Sequence, residues 1–332
     1  MKGIPNQRAF TLIELLVVTG ILATLFALAL SGAKPGTTGQ IKQAAQSIAS
    51  VLLAAQSRAL GNPSGAAVIF ESTGINCISV SNADMPPFIL ATTGTLTETS
   101  TTTATVSGTA TNTDNSELKN GYKIRFGRTQ PPVQPLSAWM AFSCQTAPAG
   151  TVSLRAAGGQ TNNNTIWPFP AGGNSFQAQI ATYPSKGETA YQFPKAAAID
   201  FRYSGLGEDT NTIWGGSAYA TAWGGLANKG AIAVVFDSVG GIDILLQQAL
   251  SDASSRVNQP LAPSSPLYFL IATRSDIEAN ANTLSSDQAL WVAVHPQTGR
   301  VSISPNVAQT GTDATALRAA RAKARALLAV GK

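Results

Sequence analysis

This chain of 332 residues has one histidine, two cysteines and few charges, with Asp, Glu, Lys and Arg together making up 12% of it. That charge fraction is about half the usual share. A lone His295 excludes a His-rich metal centre and any mechanism that needs two imidazoles. No Gly-Lys-Ser/Thr phosphate loop occurs, which excludes a P-loop nucleotidase. Two cysteines are too few for a disulfide scaffold. Cys77 and Cys144 leave two alternatives open, one disulfide in an oxidising compartment or two buried free thiols. No repeat at a solenoid period occurs. The net charge of +5 comes without the aromatic and basic interleaving of a nucleic-acid surface, so no nucleic-acid partner is expected. Cofactor and metal are both expected to be absent, and the chain is not expected to be an enzyme.

Its most distinctive segment is N-terminal. A short basic leader, Met1 to Ala9, runs into an apolar stretch, Phe10 to Ala33, whose one charge is Glu14. A run of this length spans a bilayer as a helix, which takes about 20 residues. A secretory signal has a shorter apolar core of about 7–15 residues and a small-residue cut after it. Here the small residue Ala9 lies before the run, so the apolar segment stays with the mature protein. Lys2 and Arg8 precede it and Lys34 and Lys42 follow it, a weak asymmetry that favours a cytoplasmic leader.

The passage RAFTLIELLVV resembles the processing and assembly motif of type IV prepilins and of type II secretion pseudopilins. The resemblance implies cleavage by a prepilin peptidase between Ala9 and Phe10, N-methylation of Phe10, and an assembly role for Glu14. Ala9 departs from the usual Gly at the cut. The passages QSIASVLLAAQSRAL and LWVAVHPQTGRVSIS resemble, respectively, the helix and the closing hairpin of H-type minor pseudopilins. A related verrucomicrobial cassette of pilin-like proteins is an alternative source of the likeness. The partners implied are other pilin or pseudopilin subunits, the membrane, and an inner-membrane platform with an assembly ATPase.

Physical chemistry gives Glu14 a task. A charge at mid-bilayer costs about 2.5–3.5 kcal/mol on insertion scales. At 1.5 Å rise per residue, Glu14 lies only about 6 Å beyond Phe10 and can snorkel to the interface. Cleavage frees an α-amino group at Phe10, which can pair with Glu14 of a neighbouring subunit in a dry helical stack. The alternative is a tolerated interfacial Glu on an ordinary anchor.

Gly32, Pro35, Gly36 and Gly39 punctuate the end of the span. Apolar residues then recur at helical spacing, Ile41, Ala45, Ile48, Leu52, Ala55 and Ala59, until Gly61-Asn62-Pro63 stops them. Beyond Pro63 the pattern is β-rich. Strands are expected at 66–70, 76–80, 122–126, 139–143, 197–203, 231–236, 267–273 and 290–295. Hairpin turns are expected at 237–241, leading to a strand at 242–246, and at 295–300, joining 290–294 to 301–304. The Thr/Ser/Ala tract 91–113 and the Gly/Asn-rich 158–174 read as inserted flexible loops or exposed hairpins.

His295 reads as a structural turn residue. Two polar groups have oxygen donors of the calcium-binding kind, Asn112, Asp114, Asn115 and Glu117, and Glu208, Asp209 and Asn211, but neither follows an EF-hand pattern and solvated loop is the plainer reading. An Ala-rich helix opens at Thr312-Asp313, with Leu317, Ala320, Ala324 and Leu328 on one face. Arg318, Arg321 and Arg325 are assigned to a second, exposed face, as a solvated surface or a dock for an acidic partner.

The expected fold class is α+β: a long N-terminal transmembrane and stalk helix packed on an antiparallel, β-rich exported domain. The segments are a leader (1–9), a transmembrane helix (10–33), an amphipathic stalk helix (34–62), the β-rich domain (63–311) and a basic C-terminal helix (312–332). The expected function is a minor structural subunit of a type II secretion pseudopilus or type IV pilus-like filament. It would be single-pass in the inner membrane, with its C-terminal domain periplasmic or extracellular. The alternative is a membrane-tethered adhesive module that uses the leader only for export.

Overall fold

A computed structural model describes residues 16–24, 36–73, 75–98, 103–107, 121–128, 139–145, 151–156, 174–182, 184–207, 229–249, 259–261 and 263–329. Helices and a large antiparallel sheet make it an α+β protein. Residues 16–24 are helical, and helix α1 spans Thr37–Ala59. Every residue of the expected stripe, from Ile41 to Ala59, is fully buried. α1 ends where Gly61 adopts φ +82, a conformation that side-chain-bearing residues rarely take.

The strands are β1 (Ala66–Thr73), β2 (Asn76–Asp84), β3 (Ile89–Glu98), β4 (Thr103–Ser107), β5 (Gly121–Arg128), β6 (Met140–Gln145), β7 (Thr151–Ala156) and β8 (Asn174–Thr182), then β9 (Ser185–Gln192), β10 (Ala197–Leu206), β11 (Lys229–Phe236), β12 (Ile242–Ala249), β13 (Gln259–Leu261), β14 (Leu267–Thr273), β15 (Leu290–Val294) and β16 (Val301–Pro305). They form two sheets. Ten strands are ordered β13-β12-β11-β1-β2-β10-β14-β15-β16, with β9 also paired to β2, and the other six close into a barrel, β3-β4-β7-β6-β5-β8.

All ten expected strands are present, and both expected hairpins pair antiparallel, Val235 with Ile244 and Val292 with Ile303. The tract 91–113 contains a hairpin, β3 with β4, that is built into the barrel wall. Of the second tract, only Asn174 at the start of β8 is described.

Strand alternation divides the core. Val68, Phe70, Ile199, Phe201, Val234, Phe236, Phe269, Ile271, Val292 and Val294 face α1. Their neighbours face the opposite side, which is covered in two halves. Ala198, Tyr268, Leu270, Trp291 and Ala293 pack under two short C-terminal helices, α3 (Ala314–Ala320) and α4 (Ala322–Ala329), which follow α2 (Arg274–Glu278). Ala67, Ile69, Ala233, Val235, Ile244 and Leu246 pack with Met85 and Ala181, on the side of the barrel.

Candidate processing segment and the helix-bearing head

The expected processing and assembly residues Ala9, Phe10 and Glu14 lie outside the described residues. The helical turns that follow, 16–24, expose Leu16, Val17, Val18, Ile21 and Leu22. Two threonines in this stretch return their hydroxyls to their own helix, Thr19 Oγ1 to the carbonyl of Leu16 at 3.0 Å and Thr24 Oγ1 to that of Ile21 at 2.8 Å. Back-bonding of this kind satisfies a hydroxyl without outside partners, which suits an apolar environment. Among the described residues no helix is long and apolar enough to cross a membrane.

Where α1 meets the sheet, polar groups sit only at the margins of the apolar stripe. Thr38 donates to Gln288 at 2.9 Å, Ser47 donates to the Tyr191 hydroxyl at 2.7 Å, and Gln40 accepts from the amide of Ala196 at 3.1 Å. At the far end Arg58 pairs with Asp84. Gln56 donates to the carbonyls of Gly240 (3.0 Å) and Thr298 (2.8 Å), stapling the helix to both hairpin turns at once. The turns also touch each other, the amide of Ile242 donating to Pro296 at 2.6 Å. Here the Thr-Gly-Arg turn gains a physical reason. Gly299 has φ +62, and a Cβ on it would overlap the Gly240 carbonyl and crowd Gln56. His295 closes the same turn through its backbone, donating to Arg300 O and accepting from Gly299 N, both at 2.9 Å.

The C-terminal segment departs from expectation. Asp313 caps α3, accepting from Ala316 N at 3.0 Å, but the helix breaks at Arg321. Arg318 is exposed and Arg325 partly so, whereas Arg321 is 1% exposed. The assignment of Arg321 to a solvent face is therefore corrected. Its guanidinium donates to the carbonyls of Gly207 (2.6 Å) and Tyr203 (2.5 Å) and lies over the rings of Tyr268 (4.8 Å) and Trp291 (5.2 Å). Carbonyl acceptors and ring faces together stabilise a cation that burial alone would penalise. Spacing held the signal. Leu317, Arg321, Ala324 and Leu328 follow one another at steps of four, three and four, so Arg321 belongs to the apolar stripe itself.

A second polar cluster, which the sequence reading did not single out, fastens the loop after α2. Buried Asp200 accepts from the backbone amide, Nε and Nη2 of Arg202 and from Thr283 Oγ1 at 2.6 Å, while Arg202 also donates to Asn280 Oδ1 at 2.5 Å. Its groups satisfy one another, as a structural cluster does. Among the described residues no set of three or more His, Cys, Asp or Glu gathers as a metal site would need. The candidate oxygen donors Asn112, Asp114, Asn115, Glu117, Glu208, Asp209 and Asn211 lie outside the described residues.

Cys77 is buried and free, its thiol donating to the carbonyl of Ser79 at 3.0 Å. Cys144, its partner in the disulfide alternative, belongs to β6 in the barrel. Burial pushes the Cys77 thiol up to about 12, so it remains protonated and unreactive at neutral pH.

Residues 4–30 match the family described as the prokaryotic N-terminal methylation motif. The matched span includes Ala9, Phe10 and Glu14, and the chain thus begins with a type IV prepilin-like leader. No match is found among curated proteins.

Proposed function

We propose that this protein is a minor structural subunit of a type II secretion pseudopilus or a type IV pilus-like filament. The observation that carries the reading is the methylation motif over 4–30 placed ahead of a helix that lays an unbroken apolar stripe on an antiparallel sheet. In this reading prepilin peptidase cuts between Ala9 and Phe10, Phe10 is methylated, and residues 10–33 hold the subunit in the inner membrane until assembly, with the C-terminal domain on the far side. Glu14 pairs with the freed amino group of a neighbouring subunit. An unpaired charge in that dry setting is strongly disfavoured, so the pair selects one axial register. The energy of extrusion comes from a partner ATPase acting through the membrane platform. The Thr298-Gly299-Arg300 turn, with its likeness to H-type pseudopilins, favours the secretion-type filament. The part played is structural and not catalytic.

Mass spectrometry of the N-terminus of the native membrane protein tests the reading. A methylated Phe10 is the expected result; an intact Met1, or a cut beyond Ala33, would overturn it. Glu14→Ala should still enter the membrane but cross-link poorly to other pilins. Wild-type cross-linking would leave Glu14 as a tolerated charge and favour the tethered adhesive module instead.

A further inference from the structure

We propose that the six strands β3 to β8 make up an inserted module that folds as its own cooperative unit and is seated on the back of the sheet instead of being continuous with it. The chain leaves the sheet and returns to it at one place. Asp84 at the end of β2 stands opposite Ser185 at the start of β9, and just beyond them Ile89 of β3 stands opposite Ile180 of β8. Among the described residues, the six strands between these points pair only with one another, and their ring closes without a strand from the larger sheet. A closed ring has no open edge for the rest of the protein to complete.

β5 shows how the module separates its own core from its seat. Ile124 and Phe126 are each 1% exposed, and Ile124 is in register with fully buried Ile180. The alternate residues Lys123 and Arg125 are in register with Ala181 and Gln179 and meet the seam instead. Lys123 forms an ion pair with Asp243 of β12. Arg125 donates from Nε to Gln179 at 2.7 Å and lies 4.7 Å over Trp139, whose ring is 4.8 Å from Phe88. Ala181 joins Met85 and the apolar residues on the back of the sheet. The Arg125 stack is internal to the module and holds Trp139, which with Phe88 packs on the apolar residues at the back of the sheet. One ion pair beside a modest apolar patch makes up the mixed surface found between domains, where relative motion is the default expectation.

A division of labour follows, and this consequence rests on the pilin-like reading. α1 and the ten-stranded sheet contain the elements that resemble a pilin, leaving the barrel to present a surface of its own outside the filament contacts.

Native-state hydrogen exchange on the full-length protein in detergent tests the module. Phe126→Ala removes a buried ring from the barrel alone. Exchange in β5 and β8 should accelerate by roughly a hundredfold or more, while β1, β10 and β14 stay within about twofold of wild type. A barrel that fails to fold at all beside a protected sheet also supports the inference. Equal acceleration in both sheets overturns it. Asp243→Lys should speed exchange only at residues 85–88 and 184–185, and adding Lys123→Asp should reverse the change. Acceleration that spreads through β1 overturns the seat. These outcomes are read independently of N-terminal processing, so an uncut Met1 would sink the filament reading and leave the module standing.

Discussion

The two faces of the large sheet are covered by opposite means. On the front, α1 lays down Ile41, Ala45, Ile48, Leu52, Ala55 and Ala59, all fully buried, against rings such as the stacked pair Phe70 and Phe269, whose centroids are 4.5 Å apart. No charge enters that contact, and the polar bonds are confined to its rim. On the back, α3 and α4 bury a guanidinium at the centre of their contact, where Tyr268 and Trp291 meet edge to face at 85°. An apolar stripe needs only helical period and volume, and it tolerates a range of similar side chains. A buried cation needs every surrounding group in place, because its desolvation must be offset locally. The front is therefore robust, and the back is specific. Arg321 ties the end of β10, through Tyr203 and Gly207, to the rings of β14 and β15 and to the C-terminal helices.

The comparison breaks most visibly if the front is made polar. Leu52→Asp places a carboxylate where no partner exists in the apolar stripe. It should cost at least about 4 kcal/mol, from lost burial and uncompensated charge. Most of the stability of an ordinary domain is then gone, and thermal melting of the region from residue 36 onward should show it unfolded at 37 °C. A folded Leu52→Asp variant would mean that α1 is only loosely attached. Next in size is Arg321→Gln, which removes two charge-assisted bonds and the stacking of a cation on two rings. We expect a loss of about 3 kcal/mol. Arg321→Lys should recover only part of it, because a point charge lacks the planar fork that bonds two carbonyls while lying on rings. An unchanged melting temperature for Arg321→Gln would return this residue to the solvent face.

Residues on the front were legible because one period governs them. The Ile41–Ala59 stripe could be read directly, as could the strands rich in Val, Ile and aromatics. Composition and alternation pulled the tract 91–113 in two directions, towards a flexible loop or an exposed hairpin. Thr95-Leu96-Thr97 and Thr103-Ala104-Thr105-Val106-Ser107 have the two-residue period of strands, and Thr favours strands, so the hairpin alternative is the one that pairs. They form β3 and β4. Arg321 was missed because its side chain was placed by its charge and not by its position in the stripe. The Asp200 cluster was not legible at all, because Asp200 and Thr283 lie far apart in sequence and only the pairing of β10 and β14 brings them together. Of the candidate site, the methylation motif was legible through the resemblance of RAFTLIELLVV to type IV prepilins, and the match over residues 4–30 agrees with it.

The junction of α1 with the two turns lies between the extremes, being a polar contact at an apolar face. Gly299→Ala puts a Cβ against the Gly240 carbonyl and holds a side-chain-bearing residue at φ +62. The expected loss is about 2 kcal/mol. Circular dichroism melts should show it, and exchange should quicken at residues 295–300 and 237–241 together, because Gln56 bonds to both turns. Quickening of one turn alone would show that the staple does not couple them.

The smallest effect is expected at the rim, where Arg58 meets Asp84. Their side chains are 41% and 76% exposed, so water and salt screen the attraction, and exposed pairs contribute about 0–1 kcal/mol. Asp84 stands at the root of the barrel, opposite Ser185, which makes the pair a direct link between α1 and the inserted module. If the link is only a surface pair, Arg58→Gln should lower the melting temperature by a degree or two at most, with the difference vanishing at high salt. A larger loss that persists in salt would show that the front of the sheet also depends on a charge held in place. The contrast between a robust face and a specific one would then apply to the two ends of α1, not to the two faces of the sheet.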